Sequence, residues 1–242
     1  MSDGYFDAKV AATYDQRHAT PDADIDKIVT RLADLANGGA ALEFAVGTGR
    51  IALPLAAAGV PVKGIELSQP MVDEMRKKPG GGAIETVTGD MTTAKVDGSF
   101  SLVYLVYNTI DNLTTQEAQV ACFQNAADHL ATGGRFLVET LVPPIRQLPP
   151  GAPRLAFDHS PTHWGIDSFD LVAQTYTSNH LWLTDGKAET FSAPFRYAWP
   201  AEMDLMARLA GMTVESRWED WGGAPFTGDS RTHVSVWRKG AT

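Results

Sequence analysis

The chain has 242 residues and a single cysteine, Cys122, which excludes an internal disulfide framework and any cluster of thiolate metal ligands. Positive charge is scarce: 20 lysines and arginines face 29 aspartates and glutamates, a formal net charge of −9. A nucleic-acid surface needs a clustered excess of basic side chains. The densest basic run is only Arg76-Lys77-Lys78, so no nucleic-acid partner is expected. Long apolar runs are missing as well. Ile51 to Val60 is interrupted by Pro54 and Gly59 and falls far short of the ~20 residues a membrane helix needs. Met1 to Asp7 carries neither a basic nor an apolar segment, so no secretion signal is expected there and a cytoplasmic location is. What the chain does have, 44% hydrophobic and 20% charged residues, suits a large buried core.

Helical and strand patterns alternate through the first 142 residues. Thr20-Pro21 predicts a helix start, with the hydroxyl as cap; Ile25, Ile28, Val29, Leu32 and Leu35 follow at helical spacing until Asn37-Gly38-Gly39. Apolar runs at 40–46, 61–67, 84–88, 100–107 and 135–141 read as five strands. Between them lie helices at 50–58 and after Ser68, and one opened by a capping box Thr114-x-x-Glu117, with Val120, Phe123, Ala127 and Leu130 inward. This order predicts a doubly wound, mostly parallel α/β sheet. From Pro143 to Pro153 lie five of the 14 prolines, a loop. Beyond it, 155–157, 171–180 and 190–197 read as antiparallel strands with a turn at Asp185-Gly186. Pro200 starts a helix (Leu205, Met206, Leu209), and strands 212–218 and 232–237 close the chain. The expected division is therefore 1–142 for a helical cover and ligand-binding core, 143–199 for an antiparallel β insertion serving as a substrate lid, and 200–242 for completion of the core sheet.

The most informative segment is Leu42-Glu43-Phe44-Ala45-Val46-Gly47-Thr48-Gly49-Arg50. A strand ending in Gly-x-Gly and running into a helix brings the backbone close to a ligand. Glu66 ends the second strand, where a carboxylate suits a ribose diol, and Asp90 ends the third. A dinucleotide fits the pattern Gly47-x-Gly49-x-x-Ala52, which would make the chain an NAD-dependent oxidoreductase. Glu43 argues against it: a carboxylate ~5 Å from a pyrophosphate would be repelled by roughly 3 kcal/mol at an effective dielectric of ~20. With a cationic adenosine ligand the sign reverses, and Asp90 acquires a task.

These residues resemble the first motif of the class I S-adenosylmethionine-dependent methyltransferases. Gly64-Ile65-Glu66-Leu67-Ser68, Gly89-Asp90-Met91 and the run His129 to Leu137 extend the resemblance in order. Ala45 departs from it, where the family often has glycine. The resemblance implies a seven-stranded Rossmann-like sheet and S-adenosyl-L-methionine as cofactor. Glu43 and the backbone of Ala45, Gly47, Thr48 and Gly49 would hold its methionine part, Glu66 its ribose, and Asp90 its adenine amino group, with Leu67, Met71 and Met91 around the ring. More narrowly, the chain is similar to the small-molecule branch that contains glycine N-methyltransferase and bacterial amino-sugar N-methyltransferases. There an N-terminal segment covers the methionine tail, which implies binding roles for Tyr14 and Arg17, and Asn108 corresponds to a position near the transferring methyl.

Methyl transfer from a sulfonium asks mainly for placement, and no catalytic triad is visible. His129 sits at a helix end, where the helix dipole suits it. His159-x3-His163 lacks the partners of a zinc site, so no metal is expected. His163 and His180, in the aromatic-rich insertion, are the candidate bases. The acceptor expected is a small organic molecule methylated on nitrogen or oxygen, and a homodimer is compatible with the chain. A non-catalytic homologue that keeps the ligand is the remaining alternative.

Overall fold

The computed structural model describes residues 6–18 and 20–240; Met1 to Tyr5, part of the N-terminal stretch read above, lie outside the described residues. Five parallel strands are laid down first: β1 (Ala41–Phe44), β2 (Val62–Glu66), β3 (Glu85–Thr88), β4 (Phe100–Leu105) and β5 (Leu130–Leu141). Helices α1 (Ala8–Arg17), α2 (Asp22–Ala36), α3 (Ala52–Ala57), α4 (Gln69–Arg76) and α5 (Gln116–His129) alternate with them. After a second, four-stranded sheet of β6 (Arg154–His159), β7 (His163–Asp170), β8 (Thr175–Thr184) and β9 (Lys187–Arg196), the chain returns through α6 (Pro200–Leu209) to β10 (Met212–Trp218) and β11 (Thr232–Lys239). The main sheet has the order β10-β11-β5-β4-β1-β2-β3, with β11 antiparallel to both its neighbours. The doubly wound sheet and the antiparallel insertion ahead of the last two strands are thus as the sequence predicts.

Both faces of the sheet are covered, which is why β1 and β4 are apolar almost throughout. On one side Phe44, Phe123, Phe136, Met203, Met206 and Trp237 pack under α5 and α6, with Phe123 edge-on to Phe136 at 5.0 Å. On the other, Ile28, Leu32, Leu55, Val72 and Met75 of α2, α3 and α4 close over Tyr104 and Leu137.

Several local expectations move. The cap of α2 is Pro21, with no side-chain bond, and Thr20 instead lies 3.4 Å from an Arg50 guanidinium nitrogen. Thr115, not Thr114, caps α5 by accepting from the Ala118 N–H, so there is no box with Glu117. On α6 the inward residues are Met203, Met206 and Ala207, while Leu205 and Leu209 face out at 56% and 72% exposure. β7 was not expected as a strand, and Leu171 to Ala173 form the turn after it rather than the start of β8. His129 is buried and neutral: burial lowers its pKa, and its Nε2 accepts from the Val96 N–H at 3.0 Å. Its role is structural, but the helix dipole is not the reason. The segment 218–229 turns back onto α2, where the Arg31 guanidinium lies 4.6 Å over the Trp218 ring. Among the described residues no helix is long and apolar enough to cross a membrane, and no group of three His, Cys, Asp or Glu is placed to hold a metal ion.

Candidate active site

The loop after β1 takes left-handed backbone at alternate residues: Ala45 (φ 54°), Gly47 (φ 56°) and Gly49 (φ 77°). At Ala45 a side chain is carried where glycine would sit without strain, a cost on the order of 1 kcal/mol. Gly49 is needed for packing, whereas a Cβ on Gly47 would make only an ordinary contact, 3.4 Å from Met71 Cε. A Cβ on Gly49 would lie 2.7 Å from Met75 Cγ and 3.0 Å from Leu53 Cγ, so the loop rests directly on α4 and α3.

Glu66, buried at the end of β2, ties this loop to the next one. Its two oxygens accept from the Gly47 and Ser68 N–H groups, each at 2.8 Å. Ser68 in turn caps α4. Replacing Glu66 with alanine leaves both donors without that carboxylate, and charge-assisted bonds of this kind are worth ~1.5–3 kcal/mol each. Calorimetry should then show S-adenosylhomocysteine binding weakened by about 10²-fold or more, with the fold retained. Unchanged affinity alongside lowered stability would confine Glu66 to holding the loop.

Glu43 is fully buried in β1. It accepts from Tyr104 Oη at 2.8 Å, and burial pushes its carboxyl up to about 8, against the pull of Tyr104 and Arg50. The charge argument made from the sequence therefore changes: near neutral pH this carboxyl holds a proton until a cation arrives.

β4 ends in two successive left-handed residues, Tyr107 and Asn108, both at φ 57°. Strain of this kind collects at functional sites. Glu139 of β5 holds it, accepting from the Tyr107 N–H at 2.5 Å and, through its carbonyl, from the Asn108 N–H at 3.3 Å. Tyr107 Oη and Asn108 Oδ1 are buried with no hydrogen-bond partner among the described residues. Three residues on, Asp111 accepts from Thr140 Oγ1 (3.3 Å) and from Tyr176 Oη (3.2 Å), and burial raises it to about 7.

Helix α1 lies across these loops on polar bonds. Asp15 accepts from Thr48 Oγ1 and pairs with Lys78, both at 2.5 Å. Ser68 Oγ donates to the Phe6 carbonyl at 2.6 Å, and Arg50 donates to that of His18. The Arg50 guanidinium also sits 4.2 Å over Tyr107 and 5.4 Å over Tyr14. Tyr14 thus faces the glycine loop, whereas the exposed Arg17 reaches the second sheet instead, 5.9 Å over the Trp182 ring of β8. The cation beside the loop is Arg50, which sequence reasoning treated only as the end of a motif.

The second sheet turns one face to this crevice. Tyr176, Ser178, His180 and Trp182 alternate along β8, and the bond from Tyr176 to Asp111 fixes which face looks inward. Opposite them on β7 stand Phe169, Asp167, Gly165 and His163. A buried seam holds this placement: Arg196 pairs with Glu202 at 2.7 Å and donates to Gln119, while Gln119 Nε2 donates to the Arg196 carbonyl at 3.0 Å. Asp167 keeps one buried oxygen, Oδ1, without a partner among the described residues. Burial raises its pKa, against the Ser178 hydroxyl beside it.

At the other end of the crevice, Asp90 Oδ1 accepts from the Thr92 N–H (2.8 Å) and hydroxyl (2.7 Å). Met71 and Met91 are buried, and Leu67 is 39% exposed. The structure therefore brings Tyr14, Glu43, the glycine loop, Glu66, Met71 and Asn108 to one side of the carboxyl ends of the strands, with His163 and His180 on the sheet above. A separate hollow of about 520 Å³, lined by Leu53, Ala56, Val60 and Ile84, opens near the amino ends of β2 and β3. Its charged residues, Lys63 and Glu85, already pair at 2.8 Å.

A methyltransferase-domain family model matches residues 41–134. The chain is 30% identical over 209 residues to the cypemycin N-terminal methyltransferase of a Streptomyces species, covering 83% of each. It superposes on the CcbJ methyltransferase of Streptomyces caelestis with a TM-score of 0.84 at 34% identity, over 96% of both chains. It also shares its fold with CalS10, an amino pentose methyltransferase from Micromonospora echinaspora solved with S-adenosylmethionine bound (TM-score 0.70, 20% identity, 99% of both chains).

Proposed function

Because the chain belongs to the class I S-adenosylmethionine-dependent methyltransferases, we propose that it methylates an amine nitrogen of a small organic molecule, such as an amino sugar or another natural-product intermediate. The observation that carries the amine is Asp167. A buried carboxyl oxygen with no donor among the described residues, on the sheet face that Tyr176 joins to Asp111, calls for an N–H bearing positive charge.

The residues fit the cofactor in their polar atoms: Tyr107 Oη and Asn108 Oδ1 are buried without a partner among the described residues, and the buried Glu43 carboxyl can pair with an ammonium group. When bound, S-adenosylmethionine supplies a methyl group on a positively charged sulfur, so the protein's task is alignment and exclusion of water. Glu66 would accept from the ribose hydroxyls and Asp90 from the adenine amino group, with Leu67, Met71 and Met91 about the ring. Glu43 lies behind the loop, where an ammonium group would draw its proton away. Tyr14 closes over the methionine tail, with Arg17 at the outer rim. Asn108, held in strained backbone, presents its side-chain oxygen at the junction of the two ligands. Phe157, Trp182 and Phe191 wall the acceptor side.

Parallel calorimetric titrations with S-adenosylhomocysteine and NAD test the cofactor, and labelled-methyl transfer to matched amines and alcohols tests the acceptor. Expected are binding of the nucleoside alone and methylation of amines. Binding of NAD alone would make the protein an oxidoreductase, and methylation confined to alcohols would overturn the role given to Asp167.

A further inference from the structure

Three side chains from three strands of the second sheet meet in a line. Asp158, in β6, places Oδ2 2.6 Å from His163 Nδ1. The other nitrogen of His163, Nε2, lies 2.9 Å from His180 Nδ1. His180 Nε2 then faces Ser178 Oγ at 3.2 Å. The two imidazoles are coplanar within 15° and their centroids are 5.1 Å apart, the spacing of rings joined edge to edge through one hydrogen bond. The Trp182 ring lies parallel to both, 5.0 Å from each.

The direction of these bonds follows from one end. Asp158 is ionised, kept below the usual carboxylate range by its bond to His163, and an ionised carboxylate only accepts. His163 therefore carries its proton on Nδ1 and offers a lone pair at Nε2. That lone pair takes the Nδ1 proton of His180, which leaves His180 with a lone pair at Nε2, on the crevice side. Ser178 has one hydroxyl hydrogen and two claimants, His180 Nε2 and the Asp167 carboxylate. One hydroxyl hydrogen cannot serve both.

We propose that His180, His163 and Asp158 form a proton relay that takes the acceptor's proton at His180 Nε2 and holds the charge as a His163 imidazolium against the Asp158 carboxylate. This rests on the amine acceptor argued above. The ammonium proton passes to His180 Nε2 and the His180 Nδ1 proton to His163 Nε2, which leaves His163 an imidazolium bonded through Nδ1 to the Asp158 carboxylate. The nitrogen lone pair so freed forms the new N–C bond as the S–CH3 bond breaks, and the electrons of that bond stay on sulfur. Once the product has left, the two hops reverse and His180 Nε2 releases the proton to water, which restores both resting tautomers. His180 is the catalytic residue here; His163 and Asp158 act through it. Around His180 stand His163 of β7, Phe157 of β6, Phe191 of β9 and His18, just past the end of α1; Asp167 lies opposite Ser178, and Arg17 over the Trp182 ring. Burial, first of all, disfavours a lasting positive charge on His180, and the neighbouring His163 and His18 rings act in the same direction. A proton taken up there is passed on rather than kept.

The relay is testable before any acceptor is known. Histidine-labelled protein, read by two-bond nitrogen–proton NMR at pH 7.5, should show His163 and His180 neutral with protons on Nδ1, and Asp158→Asn should remove that preference at both rings. A resting His180 with its proton on Nε2 overturns the proposal. For turnover, 3-amino-3-deoxyglucose and an alanyl peptide amide serve as probes. His180→Gln should lower kcat by about 10²–10⁴-fold with S-adenosylhomocysteine affinity unchanged, and the deficit should close as the pH passes the probe's own pKa. A deficit that is the same at every pH overturns the relay and leaves the amine assignment standing. Methylation of alcohols only would remove the amine assignment, with the tautomers still reporting on the relay.

Discussion

Gly49→Ala should abolish S-adenosylhomocysteine binding and lower unfolding stability by several kcal/mol. Two costs add at this position. A left-handed φ of 77° disfavours any Cβ by ~1–2 kcal/mol, and overpacking against Met75 and Leu53 adds roughly 1–3 kcal/mol. Gly59 separates them, because its φ is 93° but a Cβ there meets nothing within 4 Å. Gly59→Ala should therefore lose only the strain and bind the nucleoside normally. Urea unfolding and calorimetry on the two variants check this, and equal losses would mean that contact with α4 contributes nothing.

The second large effect concerns Glu43 and pH. Its carboxyl is raised in the folded protein from an ordinary 4.5 to about 8 by burial. Between those values the folded chain holds a proton that the unfolded chain has released. Stability therefore falls as pH rises through this window, by at most ~1.4 kcal/mol per pH unit, and levels off above pH 8. Asp111, raised from 3.8 to about 7, adds a fall of the same sign at lower pH. Glu43→Gln keeps an acceptor for Tyr104 and never ionises. It should match the parent protein near pH 5 and exceed it by several kcal/mol at pH 8 in urea unfolding. The same variant should bind S-adenosylhomocysteine more weakly at pH 8, since an amide offers its ammonium no charge. Parallel stability curves for the two proteins would show that Glu43 ionises as an exposed glutamate does.

The main sheet was legible because its strands are buried on both faces and so stand out as apolar runs between glycine-rich turns. β7 was not, because its sequence, His-Trp-Gly-Ile-Asp-Ser-Phe-Asp, is half exposed and mixes ring, acid and glycine on both faces. Caps slipped by one residue where two capping residues adjoin, as at Thr114-Thr115. In the site, Glu43, Gly47, Gly49 and Glu66 could be found because they are close in sequence and sit at fixed places relative to strand ends. Arg50 had a signal, its position directly after the glycine pair, but nothing in the chain says that it stands over Tyr107. The link from Asp158 through His163 to His180 depends on hairpin register, which pairs His163 with Trp182 and sets His180 diagonally across. Spacing along the chain carries no trace of that.

Helix α1 buries only Ala11, so little apolar area holds it down. What fastens it are polar bonds to Thr48, Lys78, Ser68 and Arg50, residues that also build the floor of the crevice. If the cofactor binds beneath it as proposed, its residence time is an electrostatic quantity. The Asp15–Lys78 pair is 41% and 30% exposed and so open to screening by salt. Higher ionic strength should then shorten the stay of cofactor and spent product alike while the apolar core keeps its stability, so turnover limited by product release should speed up in salt until the cofactor itself escapes before it is used.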